Sequence, residues 1–471
     1  MRLLKNKYFL LFLLILSALF LASINFPHGN FEDVDVIEII KSAWKFPAEG
    51  YGPSRSWGFP MYELFLYPTI QHFGLNGAKV ESVVFYVLSG LLFFKLLLYL
   101  TKNVSLSFLG SLAFLVHPIS VVTSSAISST SQEIFFALLS ITFFFRYFYE
   151  QKRRHLFWMV LFCGFATATR QDYLMLALSL ATTLLFLKKL KWDSFLLALF
   201  VYGTAVLGPY ILFYGVEHFT HLSLQFMGNE TFARKIPRAI LGYMAVLGLP
   251  ILFLGFLFGA KYLPHPKELK AGLLKNPAGV LFCSAVFFYF IRFAMLPDKL
   301  EYMWVIFPLF LILVFTHIRQ KSFLIPFLIA VAIPDFLQIH LFKREGANIK
   351  LNIGFSPGAV AQSRSERLRN EYRFFGDYEA TVARVAREKF GCQKHLWYLA
   401  DTPDNDYCIV VPEEMLRFWN PDRLSEGVDR KRLLERKIIV FDFPDNRGWR
   451  QFFQFTPWKP LNPADFRLIS R

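Results

Sequence analysis

Charge is scarce in this 471-residue chain: 18% of its residues are Asp, Glu, Lys or Arg, against 55% that are apolar. Soluble domains carry about 25% charged and about 45–50% apolar residues, so water alone is excluded as the solvent of the whole molecule. Cysteine is scarcer still, at four residues, too few for a scaffold built on disulfides. The sequence shows no internal repeat, no glycine-rich phosphate loop and no zinc-ligand spacing, which sets aside solenoids, P-loop nucleotidases and zinc modules. Acidic residues fall short of basic ones, 35 against 51, for a formal charge of +16. That excess does not point to nucleic acid, because the Lys and Arg residues sit in short runs between apolar stretches, a pattern that marks membrane topology.

Apolar runs are what the chain has in place of charge. They recur at residues 8–24, 81–100, 106–122, 133–149, 156–169, 172–187, 194–214, 237–260, 278–296, 303–316 and 322–341. Each approaches the length needed to cross about 30 Å of hydrocarbon, which predicts an α-helical polytopic membrane protein of about 11 transmembrane helices. The first run is read as a retained helix, since it is longer than a signal-peptide core and Asn25-Phe26-Pro27-His28 offers no small-residue cleavage pattern. If every run crosses once, Arg2/Lys5/Lys7, Lys102, Lys152-Arg153-Arg154, Lys188-Lys189/Lys191, Lys261 to Lys275 and Arg319/Lys321 fall on one side. The positive-inside rule makes that side the cytoplasm. The N-terminus is then cytoplasmic, whereas a long first loop (25–80), the turn near 170, the loop 297–302 and everything after Leu341 lie outside.

Composition changes after Lys343-Arg344, which divides the chain into a transmembrane domain, 1–341, and an extracytoplasmic soluble domain, 342–471. The latter, about 130 residues, reads as a small α/β domain. A polar helix is expected within Ser365 to Lys389, with short strands at His395 to Ala400, Tyr407 to Val411 and Lys437 to Phe441. Cys392 and Cys408 fall in this tail and, in an oxidising compartment, are expected within disulfide range. Cys163 and Cys283 lie in apolar runs, as inert packing residues.

Three outer segments carry chemistry-bearing side chains. The first loop holds Asp33 and Asp35 just after the first helix, and then Arg55 and Glu63 in Ser54-Arg55-Ser56-Trp57-Gly58-Phe59-Pro60-Met61-Tyr62-Glu63. Carboxylates there can act as a general base at the membrane surface, or can simply favour the positive end of an interfacial helix. The second segment is Thr169-Arg170-Gln171-Asp172-Tyr173, at the outer turn of a helical hairpin. Arg170 there can offer a rigid fork to an anion, or pair with Asp172. In the third, Arg292 stands about one turn inside the outer end of its helix, so it should face protein, a cavity or a phosphate rather than lipid. Lys299, Glu301 and Tyr302 follow it, either as further anion-binding groups or as solvated loop residues. Gln132 and Glu133 open a helix and read as caps; His117 reads as a hydrogen-bonded histidine.

Together these segments resemble the GT-C class of membrane glycosyltransferases, which take a sugar from a polyprenyl-phosphate carrier. The resemblance covers roughly residues 1–341. It lies in an acidic residue just after a cytoplasm-to-outside first helix, and in the short patterns Ser54 to Glu63, Thr169 to Tyr173 and Leu296 to Tyr302. Asp33-Val34-Asp35 stands where the better-known aminoarabinose and protein O-mannosyl transferases carry an Asp-Glu pair. The resemblance implies inverting transfer from a polyprenyl-phosphate sugar to an acceptor hydroxyl of a saccharide, lipid or protein, on the outer face of a bacterial or archaeal cytoplasmic membrane. Asp35 or Asp33 would be the base. Arg55, Glu63, Arg170, Asp172, Arg292, Lys299, Glu301 and Tyr302 would bind substrate, with no metal or other cofactor required. A transporter or flippase of a lipid-linked or anionic solute would use the same arginines, and a membrane scaffold presenting the tail is the non-catalytic alternative.

Overall fold

The computed structural model describes residues 6–26, 59–220, 243, 247, 275–295, 303–317, 321–332, 337–343, 349–355, 384–392, 394–397, 407–412, 438–441, 464 and 466–469. The chain forms two compact units, Met1–Gln338 with Gly354–Glu366 and Ile339–Ile353 with Arg367–Arg471.

Unit one is helical. Its first helix, α1 (Lys7–Asn25), is capped by Asn6, whose side chain accepts from the N–H groups of Tyr8 and Phe9. The long α2 (Pro60–Thr101) opens on a proline, whose missing N–H costs nothing there, and bends at Gly74, where φ of 66° favours glycine. Residues 60–80, expected as part of the first loop, are thus helical. The apolar run 106–122 is not one span: α3 (Val104–Leu115) stops before His117-Pro118 and α4 (Pro118–Thr123) starts anew. A residue preceding proline is disfavoured in the helical region, so His117 turns extended and its Nδ1 accepts from Ile119 N–H at 3.2 Å.

Then follow α5 (Thr130–Glu150), α6 (Arg153–Thr169), a 3-10 turn at Gln171–Tyr173, α7 (Leu174–Phe186), α8 (Trp192–Thr220), α9 (Pro277–Met295), α10 (Ile306–His317) and α11 (Lys321–Ala332). Of the expected span 237–260 only Tyr243 and Leu247, both helical, are among the described residues. The span expected at 322–341 is shorter than the apolar run. Helix α11 ends at Ala332, just before Ile333-Pro334, and Leu337–Lys343 is a strand, β1, in which Leu337, Ile339 and Leu341 alternate with Gln338 and His340. Among the described residues, Asn76–Thr101 and Trp192–Pro209 are long and apolar enough to cross a membrane unaided. Shorter apolar helices run Lys7–Ser23, Val104–Leu115, Gln171–Phe186, Pro277–Arg292 and Ile306–His317.

Apolar residues fill the interior, and they also lie exposed beside buried hydroxyls. Phe12, Phe20, Leu196, Phe200 and Phe287 are exposed, while Ser89, Ser107, Ser111, Ser140 and Ser179 are fully buried. Many hydroxyls are satisfied inside their own helix, as when Ser111 and Thr183 donate to the carbonyls of Ser107 and Ser179. Apolar side chains exposed around an interior that also holds hydroxyls suit a body bounded by lipid. The large Phe content also works between helices: Phe143, Trp158 and Phe162 stack across the α5/α6 hairpin with centroids 5.6–6.3 Å apart. Helices α6 and α8 touch at Gly164, where an added Cβ would stand 2.4 Å from the Ala205 Cβ. Gly164→Val is therefore expected to cost about 1–3 kcal/mol by forcing the two helices apart, read as a lower thermal midpoint of the purified protein.

The second unit holds a four-stranded sheet. Strands β3 (Lys394–Trp397), β4 (Tyr407–Pro412) and β5 (Ile438–Phe441) run parallel in that order, and β6 (Phe466–Ile469) closes antiparallel to β5. Strand β1 pairs separately with β2 (Ile349–Phe355). Helix α12 (residues 384–390) stops at Gly391, whose φ of +67° lets Cys392 N–H reach back to the Ala386 carbonyl at 2.9 Å. That stop delivers Cys392 to Cys408 on β4, and the two form a disulfide with Cα atoms 5.9 Å apart. A bridge closing a loop of this length is worth about 3 kcal/mol. Cys408→Ser should destabilise this unit by about that amount, read as a lower unfolding midpoint and greater protease sensitivity, as reductant does to the wild type.

Candidate functional site

Helices α5 and α6 form a hairpin turned at residues 151–152, so the start of α5 and the end of α6 share one end of the bundle. Helix α7 leaves from that same end, and α9 packs along α7 and finishes there. This arrangement brings Glu133, in the first turn of α5, beside Arg170 at the C-cap of α6, Asp172 in the 3-10 turn and Arg292 in the last turn of α9. Arg170 Nη1 lies 3.7 Å from Glu133 Oε1, and its Nε donates to Asp172 Oδ2 at 3.3 Å. Arg292 Nε lies 2.6 Å from Asp172 Oδ1. That contact is an ion pair rather than an aligned hydrogen bond, since Oδ1 accepts no hydrogen bond among the described residues.

Two guanidiniums thus meet two carboxylates, a balanced set where an isolated charge would be prohibitive. Side-chain exposure rises from 0% at Glu133 and 5% at Asp172 to 11% at Arg170 and 25% at Arg292. The acids form the floor of the cluster, and Arg292 is its outward member. Other buried polar side chains of this unit are hydrogen-bonded as well. Ser82 donates to the Ala126 carbonyl at 2.6 Å, Ser131 to that of Thr123 at 2.8 Å, and Gln132 to that of Met61 at 3.2 Å. The last bond ties the head of α2 to the start of α5, one residue before Glu133, and Glu63 is fully buried one turn into α2. His117 lies against Trp304 and Phe307, centroids 4.6 and 4.0 Å away.

Of the residues singled out in the sequence, Arg170, Asp172 and Arg292 are brought together and Glu63 is buried at a helix head. Asp33, Asp35, Arg55, Lys299, Glu301 and Tyr302 lie outside the described residues. Sequence reading passed over Glu133, taking it for a cap; its signal was an acid in an otherwise apolar run, which is a functional indication by default. It also passed over Lys79. That side chain is 5% exposed and donates to the Phe26 carbonyl at 2.8 Å, capping α1 where the first loop departs. The buried hydroxyls of Tyr173 and Tyr289 went unnoticed as well; they make no hydrogen bond among the described residues and lie within electrostatic reach of Asp172 and Glu133.

At the opposite end, basic residues gather: Lys102 lies over the Tyr99 ring at 4.5 Å, Tyr99 meets Tyr149, and Arg153 pairs with Asp193.

Fold and cluster define a helical body, apolar outside, with an ionised site buried at one end and cationic loops at the other. Two solved structures share its fold. The crystal structure of ArnT from Cupriavidus metallidurans bound to undecaprenyl phosphate aligns with a TM-score of 0.54 at 12% identity, over 96% of each chain. ArnT from the same source in the apo state aligns with the same score and identity over 92% of each chain. ArnT is a GT-C glycosyltransferase, so the likeness establishes a GT-C fold here. The sequence matches no protein-family model and no curated protein.

Proposed function

We propose that this chain is a polytopic membrane glycosyltransferase that moves a sugar from a polyprenyl-phosphate carrier to an acceptor hydroxyl on the extracytoplasmic face. The observation that carries this reading is the convergence of Arg170, Asp172 and Arg292 at one end of a GT-C fold that is also found in an ArnT bound to undecaprenyl phosphate. The basic loops at the other end favour a cytoplasmic placement for that end, with about 11 crossings and the tail outside.

In the reaction, a first-loop carboxylate, Asp35 ahead of Asp33, accepts the proton of the acceptor hydroxyl as its oxygen attacks the anomeric carbon. The bond from that carbon to the carrier's phosphate oxygen breaks, and its electron pair leaves with polyprenyl phosphate. Attack from the opposite face inverts the anomeric centre. The departing phosphate is weakly basic, so it needs charge stabilisation rather than a proton, and Arg292, the outward cation of the cluster, supplies it. No metal or other cofactor is required by this chemistry.

Arg292→Ala is expected to weaken binding of undecaprenyl phosphate about tenfold or more, and Arg292→Lys to restore it only partly, because an ammonium keeps the charge and loses the fork. The check is affinity and transfer by the purified protein in lipid nanodiscs, with a panel of polyprenyl-phosphate sugars. Flipping of such lipids without any sugar transfer would overturn the enzyme reading in favour of a transporter.

A further inference from the structure

The end of the bundle away from Asp172 gathers more positive charge than it pairs among the described residues. Helix α2 finishes there, since its head lies with Gln132 at the other end, and α5 turns into α6 at residues 151–152. The two helices meet through Tyr99 and Tyr149, whose ring centroids stand 6.3 Å apart. Lys102 Nζ lies 4.5 Å from the Tyr99 ring centroid, the Arg146 guanidinium lies 6.0 Å from it, and Lys152 is within electrostatic reach of the Tyr99 hydroxyl. The carboxylate that faces them, Glu150, is already engaged by Lys152 at 2.8 Å and by His155 at 3.1 Å. Lys102 and Arg146 are exposed and pair with no carboxylate among the described residues.

The surroundings of Arg146 set it apart from an ordinary solvated charge. Its guanidinium also lies 5.8 Å from the ring of Phe143, about one turn earlier on α5, so two aromatic rings hold it in place. Phe143 in turn begins a strip of partly exposed aromatics that continues through Trp158 and Phe162 on α6. The cation therefore stands at the head of an apolar strip on the surface of the hairpin, where a lipid's phosphate and acyl chain would fall in that order.

We propose that Tyr99, Lys102 and Arg146 form a binding site for an anionic phospholipid, with its headgroup phosphate on the two cations and an acyl chain along Phe143, Trp158 and Phe162. The site is separate from the cluster at Asp172 and does not depend on the reaction proposed there. Its occupant is a lipid rather than a soluble phosphate because the cations adjoin the aromatic strip, which a soluble anion would leave uncovered.

The test uses the full-length protein in nanodiscs of equal parts phosphatidylglycerol and phosphatidylcholine, with the lipids retained on release read by native mass spectrometry. The wild type should retain phosphatidylglycerol in preference to phosphatidylcholine. Arg146→Gln and Lys102→Gln should each lower that preference about fivefold, and Arg146→Lys should keep most of it. Arg154→Gln removes an exposed cation of the adjoining turn that has no ring contact or ion pair among the described residues, and it should leave the preference unchanged. An equal loss in Arg154→Gln would mean diffuse attraction by the basic turns and overturns the site. So does a wild type that retains both lipids alike, or one whose phosphatidylglycerol is displaced by inorganic phosphate.

Discussion

Asp35→Asn is expected to lower the rate of sugar transfer by about 10²-fold or more while leaving carrier affinity close to that of the wild type. The reason lies in when each group acts. A general base is engaged only as the acceptor's proton moves, so its loss appears in turnover, whereas a phosphate-binding arginine is engaged from the first encounter with the carrier. Asn keeps the shape of the side chain and removes only the capacity to accept a proton. Asp35 is preferred to Asp33 for its offset, about one helical turn before Ile39 and eight residues before Ala43, which is similar to that of the acidic residue in GT-C enzymes. The Lys79 ammonium donates to the Phe26 carbonyl at the end of α1, from which the first loop departs. Single-turnover assays of Asp33→Asn and Asp35→Asn with the correct donor decide the matter. Full activity in both variants would remove the first loop from the chemistry.

What could be read from the sequence follows from the range of the forces involved. Helices with uninterrupted apolar runs, such as α1, α5 and α9, fall close to their expected places because apolar length is a local property. Errors arose where local chemistry competes with hydropathy. His117-Pro118 splits one apolar run into two helices, and after Pro334 the alternation in Leu337–Lys343 turns an apolar segment into a strand. In the tail, β3, β4 and β5 were legible as short runs ended by Asp or Pro, whereas β1, β2 and β6 were not foreseen. The site was legible in its parts and not in its assembly. Arg170, Asp172 and Arg292 were each marked by sitting at the end of an apolar run, but that Asp172 serves both arginines depends on α9 packing against α7, a long-range fact. Glu133 escaped because an acid in a helix's first turn looks the same whether it caps the helix or faces an arginine from a neighbouring one.

The Glu133–Arg170 contact makes the second large effect an effect on stability. Arg170→Ala should destabilise the helical unit by about 3–5 kcal/mol, because it takes a guanidinium away from two buried carboxylates, Glu133 and Asp172, at once. The loss is larger than that from removing the pair together. Arg170→Met combined with Glu133→Leu exchanges two buried charges for apolar side chains, and such replacements are neutral or stabilising in many proteins. The double variant should therefore regain most of the thermal midpoint that Arg170→Ala loses. Carrier affinity should not return with it if Arg170 contributes to the anion site, since its guanidinium is still missing. Thermal unfolding in nanodiscs, paired with undecaprenyl phosphate binding on the same samples, separates the two contributions. An Arg170→Ala protein within about 0.5 kcal/mol of wild type would show that Glu133 is satisfied by other partners and that the cluster is not held together by its charges.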